Sequence, residues 1–140
     1  MNNSAITPLV TAVQTALKAD ATLLSMCPYI YTKVPNDLSY PHLELGDCTE
    51  SMPSWDTMGV KGHELTLSIN IYTQNLQNTQ VTSLLISNRV AYTLMGSALT
   101  VPGYENNGVL FEFNQPVPDL SGANKLIHVS SRYRFFLTEA

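Results

Sequence analysis

Charge is scarce in this chain. Asp, Glu, Lys and Arg make up 13% of its 140 residues, with seven Lys and Arg against eleven Asp and Glu. The formal net charge is −4, and the few basic residues are scattered. A protein that grips nucleic acid through phosphates needs a basic face, so that class is disfavoured. Cysteine is nearly absent. Cys27 and Cys48 form no CxxC and lie far from any pair of histidines, which argues against a zinc site. Two cysteines permit a disulfide without requiring one; buried free thiols are expected, in keeping with synthesis in the cytosol. No apolar run is long enough to cross a bilayer. The opening MNNSAITPLV lacks a basic stretch followed by an apolar one, so no signal peptide is expected. GxSxG, the P-loop, GxGxxG and HExxH are all missing.

What remains describes one ordered domain over residues 1–140. Hydrophobic residues reach 44%, enough for a real core. With so little charge, Asn, Ser and Thr must cover much of the surface. Such a surface tolerates assembly, because charge is costly to bury at an interface core.

The clearest period lies at 64–72. Leu65, Leu67, Ile69 and Ile71 alternate with Glu64, Thr66, Ser68, Asn70 and Tyr72, the pattern of a strand with one buried face. A shorter strand opens at Pro41, with Leu43 and Leu45 inward and His42 and Glu44 outward. Gly46 ends its regular part or allows a bulge. The loop between these strands carries Met52, Trp55, Met58 and Val60 among Pro53, Gly59 and Gly62. The only Trp and two Met make this loop a candidate contact surface; the alternative is that Trp55 folds back and caps the core.

Residues 4–19 read as an amphipathic helix with Ile6, Leu9, Val10, Val13, Ala16 and Leu17 on one side, capped at Thr7-Pro8 or at Ser4. Asp20 caps a short helical piece at 21–26, and Pro28 ends it. Tyr29-Ile30-Tyr31 suits a short edge strand. Residues 76–95 form the longest helix, with Val81, Leu84, Leu85, Ala91 and Leu94 or Met95 as its apolar stripe, Asn75 or Asn78 as its cap and Gly96 as its stop. Arg89 is its one charge. A loop at 97–108 leads to a strand at 109–114 with Val109, Phe111 and Phe113 inward. A second loop at 115–124 leads to a long strand at 125–138 with Ile127, Val129, Tyr133, Phe135 and Leu137 inward. The order predicts an α+β fold, an antiparallel sheet of about four strands with two main helices packed on it.

Chemistry is thin. His42, His63 and His128 are far apart and sit on or near polar faces, where a solvated or interface histidine is the commoner state. Glu44, Asp47 and Glu50 form an acidic stretch. Paired carboxylates can do acid–base work, but a solvated acidic face is the better reading. Ser130-Ser131 lies in a strand, without the strained turn that a nucleophile needs. No catalytic, metal or cofactor residue is assigned.

LKADATLLSMCPYIY at 17–31, Val34-Pro35, the Tyr40-Pro41 strand running to Gly46, SerTrpAspThr at 54–57 and the alternating strand from Glu64 to Tyr72 together resemble the tail completion proteins of long-tailed bacteriophages. The resemblance covers nearly the whole chain and rests on order and spacing. Position 29 is Tyr where the family's strand commonly begins with Arg, and the Trp loop has only Lys61 as a base. The resemblance implies a structural virion protein and no enzyme, made in the host cytoplasm. Such a protein is a subunit of a homo-oligomeric ring, commonly a hexamer, at the head–tail interface. The ring caps the head-proximal end of the tail tube and joins the tube protein to the head connector protein. DNA passes through the lumen without specific binding, and no membrane is involved. A head-side connector subunit of the neck is the nearest variant. A small α+β hydrolase or ligand-binding domain using His128 or the acidic stretch is the alternative from another class; it requires a deep pocket lined by those residues. An adaptor binding peptides along a sheet edge is a third reading.

On the ring reading, Met52, Trp55, Met58 and Val60 in the loop, with Arg132 and Arg134 on the last strand, are the candidate subunit and tube contacts. Glu44, Asp47 and Glu50 are the candidates for an acidic lumen lining. The last strand offers itself for pairing with a neighbour, or is fully paired within its own sheet. Trp55→Ala is expected to lower ring formation or tube binding while leaving the fold intact, checked by light scattering beside a thermal melt. A variant monomer that unfolds would place Trp55 in the core.

Overall fold

The computed structural model describes residues 4–33, 39–51, 62–74, 79–96, 99–119 and 126–140. Its elements in order are α1 (Ile6–Lys18), α2 (Ala21–Met26), β1 (Tyr29–Tyr31), β2 (His42–Ser51), β3 (Gly62–Gln74), α3 (Thr79–Gly96), β4 (Tyr104–Asp119) and β5 (Leu126–Glu139). The strands form one sheet in the order β1-β2-β3-β5-β4. Every neighbouring pair is antiparallel except β1 and β2, which run parallel. The fold is α+β, but the sheet is mixed and has five strands beneath three helices, where about four strands and two main helices were expected.

β3 sets the two faces. Its odd residues from His63 to Thr73 are buried, and its even residues are half-buried or exposed. Leu65, Leu67, Ile69 and Ile71 have no solvent exposure. Val129, Tyr133, Phe135 and Leu137 of β5 extend that buried surface; α3 packs on it, and α1 packs beside α3 on β1 and β2. α1 contributes Leu9, Ala12, Val13 and Leu17. Its first turn is served by Ser4, whose hydroxyl accepts from the Ile6 amide at 3.2 Å, and no side chain caps at Ala5.

α3 departs from the expected stripe. Ser83, Ile86, Ser87, Val90, Thr93 and Leu94 face inward, whereas Leu85 and Met95 are about half exposed, at 53% and 49%. The helix docks partly through hydroxyls: Thr73 and Ser83 meet at 2.6 Å, and Ser87 and Ser131 at 3.4 Å. Polar positions on the buried side blur the apolar period that sequence reading relies on. The caps at Asn75 and Asn78, and the side chain of Val81, lie outside the described residues.

β4 is also longer than expected. It takes in residues 104–108 of the segment read as loop and carries on through Pro116 and Pro118. β4 is an edge strand, where a proline's missing N–H can point away from the ladder. A register shift between Phe111 and Phe113 turns Phe113 outward: Phe111 pairs with buried Tyr133, but Phe113 pairs with exposed Arg132. A second bulge falls at Gly46-Asp47, between the pairs Leu45–Ile69 and Cys48–Leu67.

β5 is central and paired along its length, from Leu126 opposite Gln74 and Asp119 to Thr138 opposite Gly62 and Glu105. It has no overhang to lend to a neighbour. The open edges are β1 and β4.

Asp20 ties the helices together. Its carboxylate accepts from the amides of Thr22 and Leu23, capping α2 as expected. The same group takes a two-pronged bond from Arg89 of α3, at 2.9 and 3.0 Å, and one from Thr93. The Arg89 bond is the chief cause that holds its pKa down at about 2, against the opposing effect of burial. Asp20→Ala is expected to cost about 2 kcal/mol, and Asp20→Asn about half of that, since Asn keeps the cap. Thermal melts check both. Because the folded pKa is depressed, this contribution is present above pH 4 and fades as pH falls towards about 2.

Candidate assembly surface

All three helices lie on one side of the sheet, and among the described residues nothing covers the other. That face carries two side-chain systems. The first is an aromatic row crossing the strands. Tyr29, His42, Tyr72 and His128 are successive cross-strand partners on β1, β2, β3 and β5. Tyr72 stacks on His42 at 5.0 Å and on His128 at 4.5 Å. Tyr31 and Tyr40 close over His42, leaving it 2% exposed although it points to the outward face. Cross-strand aromatic pairs of this kind stabilise a sheet. His42 Nδ1 bonds the Ser39 carbonyl oxygen at 3.1 Å, and His128 Nε2 bonds Asn70 Oδ1 at 2.9 Å. Burial lowers the pKa of both imidazoles, against the pull of Glu44.

The second system is ionic. Arg134 Nε lies 2.8 Å from Glu112, and its Nη1 lies 3.0 Å from Glu64. Arg132 reaches Glu112 at 3.3 Å and lies over the Phe113 ring at 4.9 Å. The guanidiniums are the outer layer: the side chains of Arg132 and Arg134 are 44% and 39% exposed, their carboxylate partners 15%. Sequence reading picked out both arginines but not these partners. Glu112 reaches them because it sits in the bulge of β4, which no residue pattern announces.

The acidic stretch is divided by the bulge at Gly46-Asp47. Glu44 pairs with Asn70 on the helix-free face, and Asp47 is exposed within the bulge. Glu50 pairs with buried Leu65 and turns to the helix side. There its Oε2 accepts from the Ala5 amide at 2.9 Å and lies 2.7 Å from His63 Nδ1. Burial alone would raise the Glu50 pKa; the Ala5 and His63 bonds outweigh it and hold it low. His63 also reaches Glu139, at 3.3 Å from Nε2, in an arrangement that sequence reading missed. Met52, Trp55, Met58 and Val60 lie outside the described residues.

Among the described residues, the candidate groups do not come together as an active site. His128 and Glu50 are on opposite faces, so the pocket required of a hydrolase does not form from them. A shallow depression of about 290 Å³ lies between α1 and the 99–102 segment, lined by Thr11, Ala12, Thr15, Ala16, Leu99 and Pro102 among others, with no ionisable group. Cys27 and Cys48 are free, and burial pushes their thiols up to about 12 and about 11, far from a reactive thiolate. No cluster of three metal-ligating side chains occurs among the described residues, and no helix there is long and apolar enough to cross a membrane.

The family model described as tail completion protein gp17 matches residues 11–138. The chain belongs to the tail completion protein gp17 family. It is a structural protein of the phage virion, located in the tail. No curated protein sequence matches. Among solved structures, a chain from the virion of a native gene transfer agent particle superposes with a TM-score of 0.76 at 18% identity, covering 91% of this chain and 92% of that one. The gp17 protein of bacteriophage SPP1 gives 0.58 at 21%, covering 94% and 88%.

Both imidazoles of the aromatic row have lowered pKa values, so the unfolded chain binds more protons there and acid weakens the fold. Stability is expected to fall as pH drops below the ordinary histidine value of 6.5. The variant carrying His42→Gln with His128→Gln should lose that dependence between pH 7 and 5 in thermal melts. An undiminished slope would mean that the row is not its source.

Proposed function

We propose that this tail completion protein forms a ring, of six copies, that caps the head-proximal end of the tail tube and presents its other side to the head connector. The observation that carries this reading is a sheet that, among the described residues, has one face bare of helices and two unlike open edges, β1 and β4. Unlike edges favour contacts between different patches of identical copies, and such contacts close into rings when the rotation allows. Arg134 already holds two carboxylates, at 2.8 and 3.0 Å, so it offers DNA phosphates little that is unpaired. With a formal net charge of −4, the chain suits a lumen through which DNA slides without being gripped. On this reading Glu44 and Asp47 contribute to the lumen lining, and Met52, Trp55, Met58 and Val60 to the tube contact.

Light scattering after size exclusion, across concentration and with purified tail tubes added, tests the ring. A six-fold species, alone or on tube ends, is the expected result. A strict monomer that leaves tubes unbound would sink the reading.

A further inference from the structure

Glu44 is half-buried on the bare face, and among the described residues its carboxylate has no hydrogen bond and no ion pair. Its cross-strand partners are Tyr31 on β1 and Asn70 on β3, neither of them a base. Asn70 turns its amide elsewhere: Oδ1 bonds His128 Nε2 at 2.9 Å, and Nδ2 lies over Gly46, 2.9 Å from where a Cβ would stand. Lys33, just past β1, is exposed and makes no ion pair among the described residues. A half-buried carboxylate with nothing to neutralise it costs free energy that an arriving cation offsets.

The rings beside Glu44 are uncharged. Tyr31 lies against His42, and Tyr72 stacks between His42 and His128. Burial keeps both imidazoles neutral at pH 7, and it raises the Tyr72 phenol, an effect to which Glu44 adds. Glu44 is thus the full charge of an otherwise neutral aromatic patch. Ring faces attract cations, and a guanidinium, flat and weakly hydrated, both stacks on a ring and forks onto a carboxylate.

We propose that Glu44, with Tyr31 beside it and Tyr72 diagonal to it, is the docking point for an arginine side chain of another virion protein. The carboxylate takes the guanidinium edge and a tyrosine ring takes its face. The aromatic row has room for the segment that carries the arginine. From β1 to β5 it crosses three strand spacings, about 14 Å, the length of roughly four extended residues. A second copy of this chain is the poorer occupant. Arg89 and Arg134 are each held by carboxylate oxygens at two points. Arg132 lies on the same face as Glu44, so using it would join two copies face to face, in a closed pair and not a ring. The inference goes beyond the ring reading: where Glu44 lines a lumen, the arginine-bearing segment lies in that lumen.

NMR titration of the full chain with a pentapeptide carrying one arginine among glycines tests the site. The control peptide has citrulline in place of arginine, which keeps the shape and loses the charge. The arginine peptide should move the ring signals of Tyr31, Tyr72 and His128, with affinity falling about tenfold for citrulline and about tenfold for E44Q. A thermal melt reports the folding of E44Q; if that variant fails to fold, the citrulline comparison on wild type decides alone. Ring signals that stay in place, equal binding of the two peptides, or undiminished binding by folded E44Q would each overturn the proposal. Guanidinium ion binding as tightly as the peptide would reduce the site to one for small cations. Pairs of the wild-type chain that E44Q abolishes would give the site to a second copy. Either result also overturns the proposal. None of these readouts depends on ring formation, which light scattering reports separately.

Discussion

The alternation of β3 governs this molecule. Four consecutive inward residues, Leu65, Leu67, Ile69 and Ile71, are fully buried, and β2 and β5 take their faces from them through the register. A slip of one residue would turn all four to water, and burial of such side chains is worth roughly 2 kcal/mol each. That penalty fixes which side the helices cover. It leaves the opposite side to Glu64, Thr66, Ser68, Asn70 and Tyr72, so the core and the outward face are specified by the same strand.

Departures from strict alternation give the outward face its content. The bulge at Gly46-Asp47 inverts the parity of β2, separating Glu44 from Glu50. Glu44 stays beside the aromatic row, while Glu50 joins His63 under the start of α1. The bulge between Phe111 and Phe113 works likewise in β4. It puts Phe113 under a guanidinium and gives Glu112 access to both arginines of β5. Each extra residue moves a side chain from one layer to the other at little cost to the ladder around it.

This explains which parts were legible from residues alone. β3, β5, α1 and the Asp20 cap follow simple periods and local hydrogen bonds, and the sequence reading of them holds. The outer rows of α3 were misassigned because Ser83 and Ser87 occupy buried positions, leaving Leu85 and Met95 to mimic a core stripe. β4 was read short because Pro116 and Pro118 look like loop residues unless the strand is known to lie at an edge. The two arginines were identified, but their carboxylate partners lie 20 to 70 residues away in the chain. The Glu50–His63–Glu139 contact depends likewise on a bulge and on strand order. Family resemblance reached further than periodicity, because order and spacing survive where single contacts cannot be inferred.

The two systems on the bare face also differ in how firmly they are set. The aromatic row is interlocked, with His42 enclosed by three tyrosines and Tyr72 held between two imidazoles. Its side chains have little rotamer freedom left to lose, so a partner arriving there has little ordering to offset. Arg132 is the opposite case: one long contact, a ring to lie on and solvent around it.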